Sequence, residues 1–137
     1  MLMRQSLRRS NILRGYRSFS TVISHGALLV ERPVRFYYIL EESSDPRLRI
    51  GFAVARGVKG AVHRNRIKRV LREAVRLHRQ TLDADLRLQR RTLRAVALFT
   101  PSGPSSSPPN RVNLATVEAA IAQLLTRIDH QLANPKS

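Results

Sequence analysis

The chain has 137 residues, enough for one domain with a real core and too few for two of ordinary size. It carries 25 Lys plus Arg against 9 Asp plus Glu, a formal net charge of +16, and its only lysines are Lys59, Lys68 and Lys136. That excess points to a polyanionic partner (RNA, DNA or an anionic membrane), and the planar donor fork of guanidinium suits phosphate and base contacts. Without cysteine, disulfides, thiolate chemistry and zinc knuckles are excluded, and no apolar run approaches the length of a membrane span.

In chain order, residues 1–10 read as a basic, flexible tail. A helical pattern follows over 11–25, with Ile12, Tyr16, Phe19, Val22 and Ile23 along one side, Ser10 or Asn11 as cap and Gly26 as its end. The first 24 residues are rich in Arg and Ser and hold no acid, as mitochondrial transit peptides do. We weigh that reading against a first helix of a basic domain and favour the helix. A short extended piece near Leu28 to Val30 precedes the strand Val34 to Leu40 (VRFYYIL), and EESSDP makes a turn. Arg49 to Ala55 (RIGFAVA) reads as a second strand, hairpin-paired with VRFYYIL. A basic helix spans Ala61 to Arg79, and Thr81 to Arg91 is polar and poorly periodic. Thr92 to Phe99 is a buried-type strand. Residues 101–110 (PSGPSSSPPN) form a Pro/Ser-rich loop. A last helix covers Asn113 to Leu132, with Val117, Ile121, Leu124, Leu125 and Ile128 on one face, before a flexible end at 133–137. The expected order is α-β-β-β-α-β-α: an α+β, two-layer α/β sandwich in one domain over 11–132.

The basic helix carries the chemistry. Ile67, Val70, Leu71, Ala74, Val75 and His78 fall on one stripe, the expected core face. Arg64, Asn65, Lys68, Arg69, Arg72, Arg76 and Arg79 gather opposite. The like-charged neighbours Arg64–Lys68, Lys68–Arg72 and Arg72–Arg76 together cost roughly 1 kcal/mol, and Glu73 offsets only part of this. Solvated helix faces usually interleave both signs; this one does not, so we read it as a phosphate-binding face. Within RNR, Arg64 and Arg66 lie about 200° apart. Asn65 sits near the middle of the polar face, where an amide can donate and accept at once. On this wheel Arg64 belongs to the main patch and Arg66 stands apart from it.

The run RIGFAVARGVKGAVHRNRIKRVLREAVR resembles the signature region of the bacterial ribonuclease P protein component, a strand followed by an RNR-x-x-KR-x-x-RE-type helix. ILRGYRSFSTVISHG resembles that family's opening helix, and VRFYYIL its second strand. The resemblance covers residues 7–132 in element order and is motif-specific over 48–76. It implies a ribosomal-protein-like fold with a small, about four-stranded mixed sheet and an unusual left-handed βαβ crossover. It also implies a non-catalytic protein subunit of an endoribonuclease that removes the 5′ leader of precursor tRNA. The RNA subunit would do the chemistry with Mg2+, the protein binding no cofactor itself, needing no protein or membrane partner, and residing in the bacterial cytoplasm. By position, Arg56, Lys59, Arg64, Asn65, Arg66, Lys68, Arg69, Arg72 and Arg76 would bind RNA, and Phe19, Tyr37 and Arg35 would line the leader cleft. The chain departs from the family pattern at Arg56, where a lysine is usual, at Gly60, where an Asn cap is usual, and at the strand end Ala97-Leu98-Phe99-Thr100, where members often carry Ala-Arg.

Other chemistries find little support. A protein nuclease needs clustered carboxylates or positioned histidines; Glu41, Glu42 and Asp45 sit in a turn that explains them as solvent-facing. His63 and His78 flank or join the core stripe, and His25 and His130 have no sequence partners. Alternation assigns Phe36 and Tyr38 to the core and leaves Tyr37 to the opposite surface, whereas the spacing of Phe19 fits either core or cleft. The competing readings are a structural RNA-binding protein of ribosomal type and a DNA-binding domain.

Overall fold

The computed structural model describes residues 12–13, 16–100 and 114–133. The proposed tail at 1–10, the Pro/Ser-rich loop, the Asn113 cap and the 133–137 end lie outside them or at their border. The elements are α1 (Tyr16–His25), β1 (Ala27–Glu31), β2 (Val34–Glu42), β3 (Leu48–Val54), α2 (Ala61–His78), α3 (Gln80–Gln89), β4 (Arg91–Phe99) and α4 (Leu114–Ala133). The strands form one sheet in the order β1-β2-β4-β3, and β3–β4 is its parallel pair.

The expected hairpin between VRFYYIL and RIGFAVA does not form. β2 pairs with β1 and β4, and β3 pairs only with β4 among the named strands. The physical reason lies in β4 itself: Leu93, Ala95 and Ala97 are buried on one face and Val96 on the other. A strand apolar on both sides belongs in the middle of a sheet. It displaces the sequence neighbour and makes β3-α2-α3-β4 a βαβ unit.

The face carrying Val34, Phe36, Tyr38, Ile50 and Leu93 packs under α2, α3 and α4 in the main core, which also takes Val117, Ile121, Leu124 and Ile128 of α4. Tyr38 donates its hydroxyl to Gln131 Oε1 at 2.6 Å, tying β2 to α4. Arg127 reaches back to Glu31 Oε2 at 2.9 Å, tying α4 to β1. The opposite sheet face is covered by α1, where Leu13, Val22 and Val96 form a smaller core with Phe19, Tyr37, Ile39 and Ala53 at its margin.

Three local expectations need correction. Thr81 to Arg91 is mostly helix: α3 buries Leu82 and Leu86, one turn apart, and Arg79 pairs with Asp83 at 3.2 Å. Two leucines in ten polar residues give too faint a period to read. His78 is exposed and faces Glu118 on α4 at 3.3 Å, so the core stripe of α2 ends at Val75. Ile12 is not helical; it bridges Ile50 in parallel, and Leu13 N–H donates to Ile50 O at 2.9 Å. α1 is described over Tyr16–His25 and ends as expected before Gly26, whose N–H donates to Val22 O.

Candidate nucleic-acid interface

Because β3 and β4 are parallel neighbours, α2 returns alongside the β3 edge and brings its polar face beside that strand. Asn65, Lys68, Arg69 and Arg72 form one wall of an open cleft of about 370 Å³. Ile12, Leu13, Phe19, Gly51 and Phe52 supply the rest. The lining holds no acid, so its cations are uncompensated within the cleft. A concave site with cations on one side and apolar and aromatic surface on the other suits a flexible polyanion that can stack.

Gly51 creates the room. A Cβ there would stand 2.7 Å from Phe19 Cε1, so the ring of Phe19 lies directly on the bare backbone of β3. The half-buried Phe19 thus belongs to both the small core and the cleft, the two alternatives its spacing left open. A glycine inside a strand pattern is the one sequence signal that marks such a close approach. Nothing comparable marked Ile12, Leu13 or Phe52, which the fold alone brings here.

Arg64 takes a different place from the one its position on the wheel suggests. Its guanidinium donates to Val54 O at 2.7 Å and to Ala55 O and Val58 O at 2.8 Å each, and it is not part of the cleft lining. The side chain is spent on the connection between β3 and α2. That connection needs it: Gly60, at φ 94°, is the N-cap of α2 and offers no side-chain cap, and no acid stands in the first turn. Gly60 accommodates this φ without strain, but the helix start relies on Arg64 for its tie to the sheet.

The other expected residues divide. Arg76 is held by Glu73, with Nη2–Oε1 at 2.9 Å, and that bond together with the Arg76 and Arg72 charges holds the Glu73 carboxyl below its ordinary value. Arg56, Lys59 and Arg66 are exposed around the start of α2 and outside the cleft lining. Tyr37 is half-buried beneath α1 in the same small cluster as Phe19, and the exposed Arg35 lies two residues before it on that sheet face. Of the three acids at the β2–β3 turn, Asp45 pairs with Arg47 and Glu41 with Arg94.

A family model described as Ribonuclease P matches residues 7–101. The chain belongs to the ribonuclease P protein family. Among curated relatives, the ribonuclease P protein component of Nitrosomonas eutropha is 38% identical over 62% of this chain and 74% of its own length. That of Pelotomaculum thermopropionicum is 34% identical over 51% of this chain and 61% of its own. Among solved structures, the RNase P protein of Thermotoga maritima superposes with a TM-score of 0.63, at 24% identity, covering 84% of this chain and 94% of that one. The Staphylococcus aureus RNase P protein gives 0.60 at 16% identity, covering 88% and 96%. These superpositions bear out the α+β fold with its four-stranded mixed sheet.

Proposed function

We propose that this chain is the protein subunit of ribonuclease P, binding the ribonuclease P RNA and the single-stranded 5′ leader of precursor tRNA while the RNA performs the cleavage. The observation that carries this reading is the cleft between α2 and β3, cationic on the helix side, with Phe19 seated on Gly51 opposite. Lys68, Arg69 and Arg72 would hold phosphates, Asn65 a base or ribose hydroxyl, and the exposed face of Phe19 a stacked base. Arg66, Arg56 and Lys59 would extend the basic surface around the helix start, and Tyr37 and Arg35 the path along the sheet.

No three His, Asp or Glu side chains among the described residues converge into a metal-binding group. We assign the Mg2+ to the RNA subunit, as the family resemblance implies, and derive no chemical step from the protein. No described helix is long and apolar enough to cross a membrane; a bacterial cytoplasmic location is part of the proposal.

The test is binding of precursor tRNA against mature tRNA, with the protein already assembled on ribonuclease P RNA. Preference for the leader-bearing form supports the reading. Equal binding of both, with retention on ribosomal RNA, would favour a structural protein of ribosomal type instead.

A further inference from the structure

The sheet face that packs against α1 holds a second group of arginines, outside the α2 cleft. Arg49 of β3 and Arg94 of β4 are register partners. Both point to the α1 side: Arg49 lies two residues before Gly51, on which Phe19 is seated, and Arg94 two before Val96 of the small core. Two residues span about 7 Å of strand. Together with Arg47 they line an open cleft of about 440 Å³ whose acids are Glu41 and Asp45. It shares no lining residue with the α2 cleft.

Like charges on paired positions of neighbouring strands repel, and the cleft does not cancel them. Asp45 is paired with Arg47 and Glu41 with Arg94. All nine acidic side chains of the protein lie among the described residues, and none forms an ion pair with the exposed Arg49. Arg94 also has donors to spare. Only its Nη2 finds a partner among the described residues, Glu41 Oε1 at 3.2 Å, and its buried Nε has none. The turn that presents Arg47 is held in place, because Thr92 Oγ1 accepts from Arg47 N–H and donates to Asp45 O, each at 3.3 Å. A fixed frame with spare guanidinium donors and one cation in excess suits a phosphate.

The two clefts differ in what else they offer. Phe19 and Phe52 line the first, whereas every residue lining the second is polar or charged. Without an aromatic ring the second cleft gives an unstacked base no platform. Helical RNA keeps its bases stacked and presents phosphates and 2′-hydroxyls instead. The arginines serve the phosphates, and the carboxylates of Glu41 and Asp45 can accept from hydroxyls. We propose that this cleft is a second RNA site, which grips the sugar–phosphate backbone of a helical RNA segment while the α2 cleft holds a single strand. The proposal rests on the chain binding RNA but not on the leader reading, because its test uses no leader.

The test measures binding of the full chain to ribonuclease P RNA, mature tRNA and a single-stranded oligouridylate at fixed magnesium. Arg49→Ala should weaken binding of at least one structured RNA about fivefold at about 0.1 M salt, and lower its log–log salt slope by roughly 0.7 to 0.9. Arg49→Lys keeps the charge and should keep the slope. Glu41→Gln removes the acid facing Arg94 and should tighten the same complex about twofold. A loss confined to ribonuclease P RNA makes the catalytic RNA the occupant, and one confined to mature tRNA makes it the tRNA body. Arg87→Ala removes an equal charge from the exposed side of α3, on the other sheet face, and should change little. An equal loss from Arg87→Ala would reduce the effect to net charge and overturn the site. A loss as large for oligouridylate would place the cleft on a single-strand path and overturn the helical reading. Structured RNAs that do not bind, or bind the Arg49→Ala variant unchanged, would overturn it too.

Discussion

The Arg64 guanidinium donates to the Val54 carbonyl oxygen at 2.7 Å, joining the first turn of α2 to the last residue of β3. Two further carbonyls, of Ala55 and Val58, complete its set at 2.8 Å each. The first arginine of RNR therefore ties the basic helix to the end of β3, while Asn65, Lys68, Arg69 and Arg72 line the cleft.

Arg64→Ala removes these charge-assisted bonds and leaves part-buried carbonyls short of partners. We expect a loss of about 3 kcal/mol in unfolding free energy, measured by urea denaturation. Arg64→Lys should recover only a fraction, because one ammonium does not reproduce the planar fork. Well below the melting temperature, both variants should bind RNA more weakly with an unchanged salt slope. A slope that flattens in Arg64→Ala and is restored in Arg64→Lys would mean that Arg64 contacts phosphate.

For the cleft cations the expectation is reversed. Arg69→Ala and Arg72→Ala should leave stability within about 0.5 kcal/mol. Each should lower the log–log salt slope of RNA binding by roughly 0.7 to 0.9. Glu73→Ala releases Arg76 from its ion pair and should not weaken binding. Fluorescence titrations at several salt concentrations decide this, and a flat response from both arginines would remove them from the interface.

Gly51→Ala places a methyl group where the Phe19 ring lies. The ring is the far end of a side chain and can swing away, so the stability loss should be about 1 kcal/mol, the low end for overpacking. Single-strand RNA affinity should fall several-fold, because the stacking surface moves. Combining Gly51→Ala with Phe19→Ala should relieve the strain without restoring affinity.

Asp129, on α4, has a carboxyl pushed up to about 6, first by burial and then by its hydrogen bond with the Asp85 carboxyl of α3. The folded state thus holds its proton more tightly than the unfolded chain does. Its contribution to stability is fullest below the ordinary aspartate value and declines as pH rises from about 4 to about 6. Asp129→Asn should raise the melting temperature at pH 7.5 by roughly 4 °C, taking about 1 kcal/mol after solvent screening. The difference should vanish below about pH 4, as thermal unfolding across pH will show.

The polar face of α2 and the burial of Phe36 and Tyr38 were legible because helical and strand periods are local properties. The neighbour of each strand was not. That RIGFAVA lies against β4 depends on a strand some forty residues later being apolar on both faces, and the turn EESSDP reads the same whether or not it closes a hairpin. The role of Arg64 was hidden for a related reason. A helical wheel shows which way a residue leaves the axis, but not that the end of β3 offers it three carbonyls there. Of the rest of the cleft lining, only Phe19 was picked out from the sequence; Gly51 carried a signal that was not read, and the approach of residues 12–13 to Ile50 leaves no periodic trace.

The central claim, a protein subunit that assists RNA-catalysed leader removal, is tested most directly by reconstitution. The chain is added to cognate ribonuclease P RNA and precursor tRNA at low magnesium, and release of the 5′ leader is followed. The account predicts that the protein raises the cleavage rate at least tenfold, and that the combined Arg69→Ala and Arg72→Ala variant loses most of that gain. Cleavage unchanged by the protein at every magnesium concentration would contradict it.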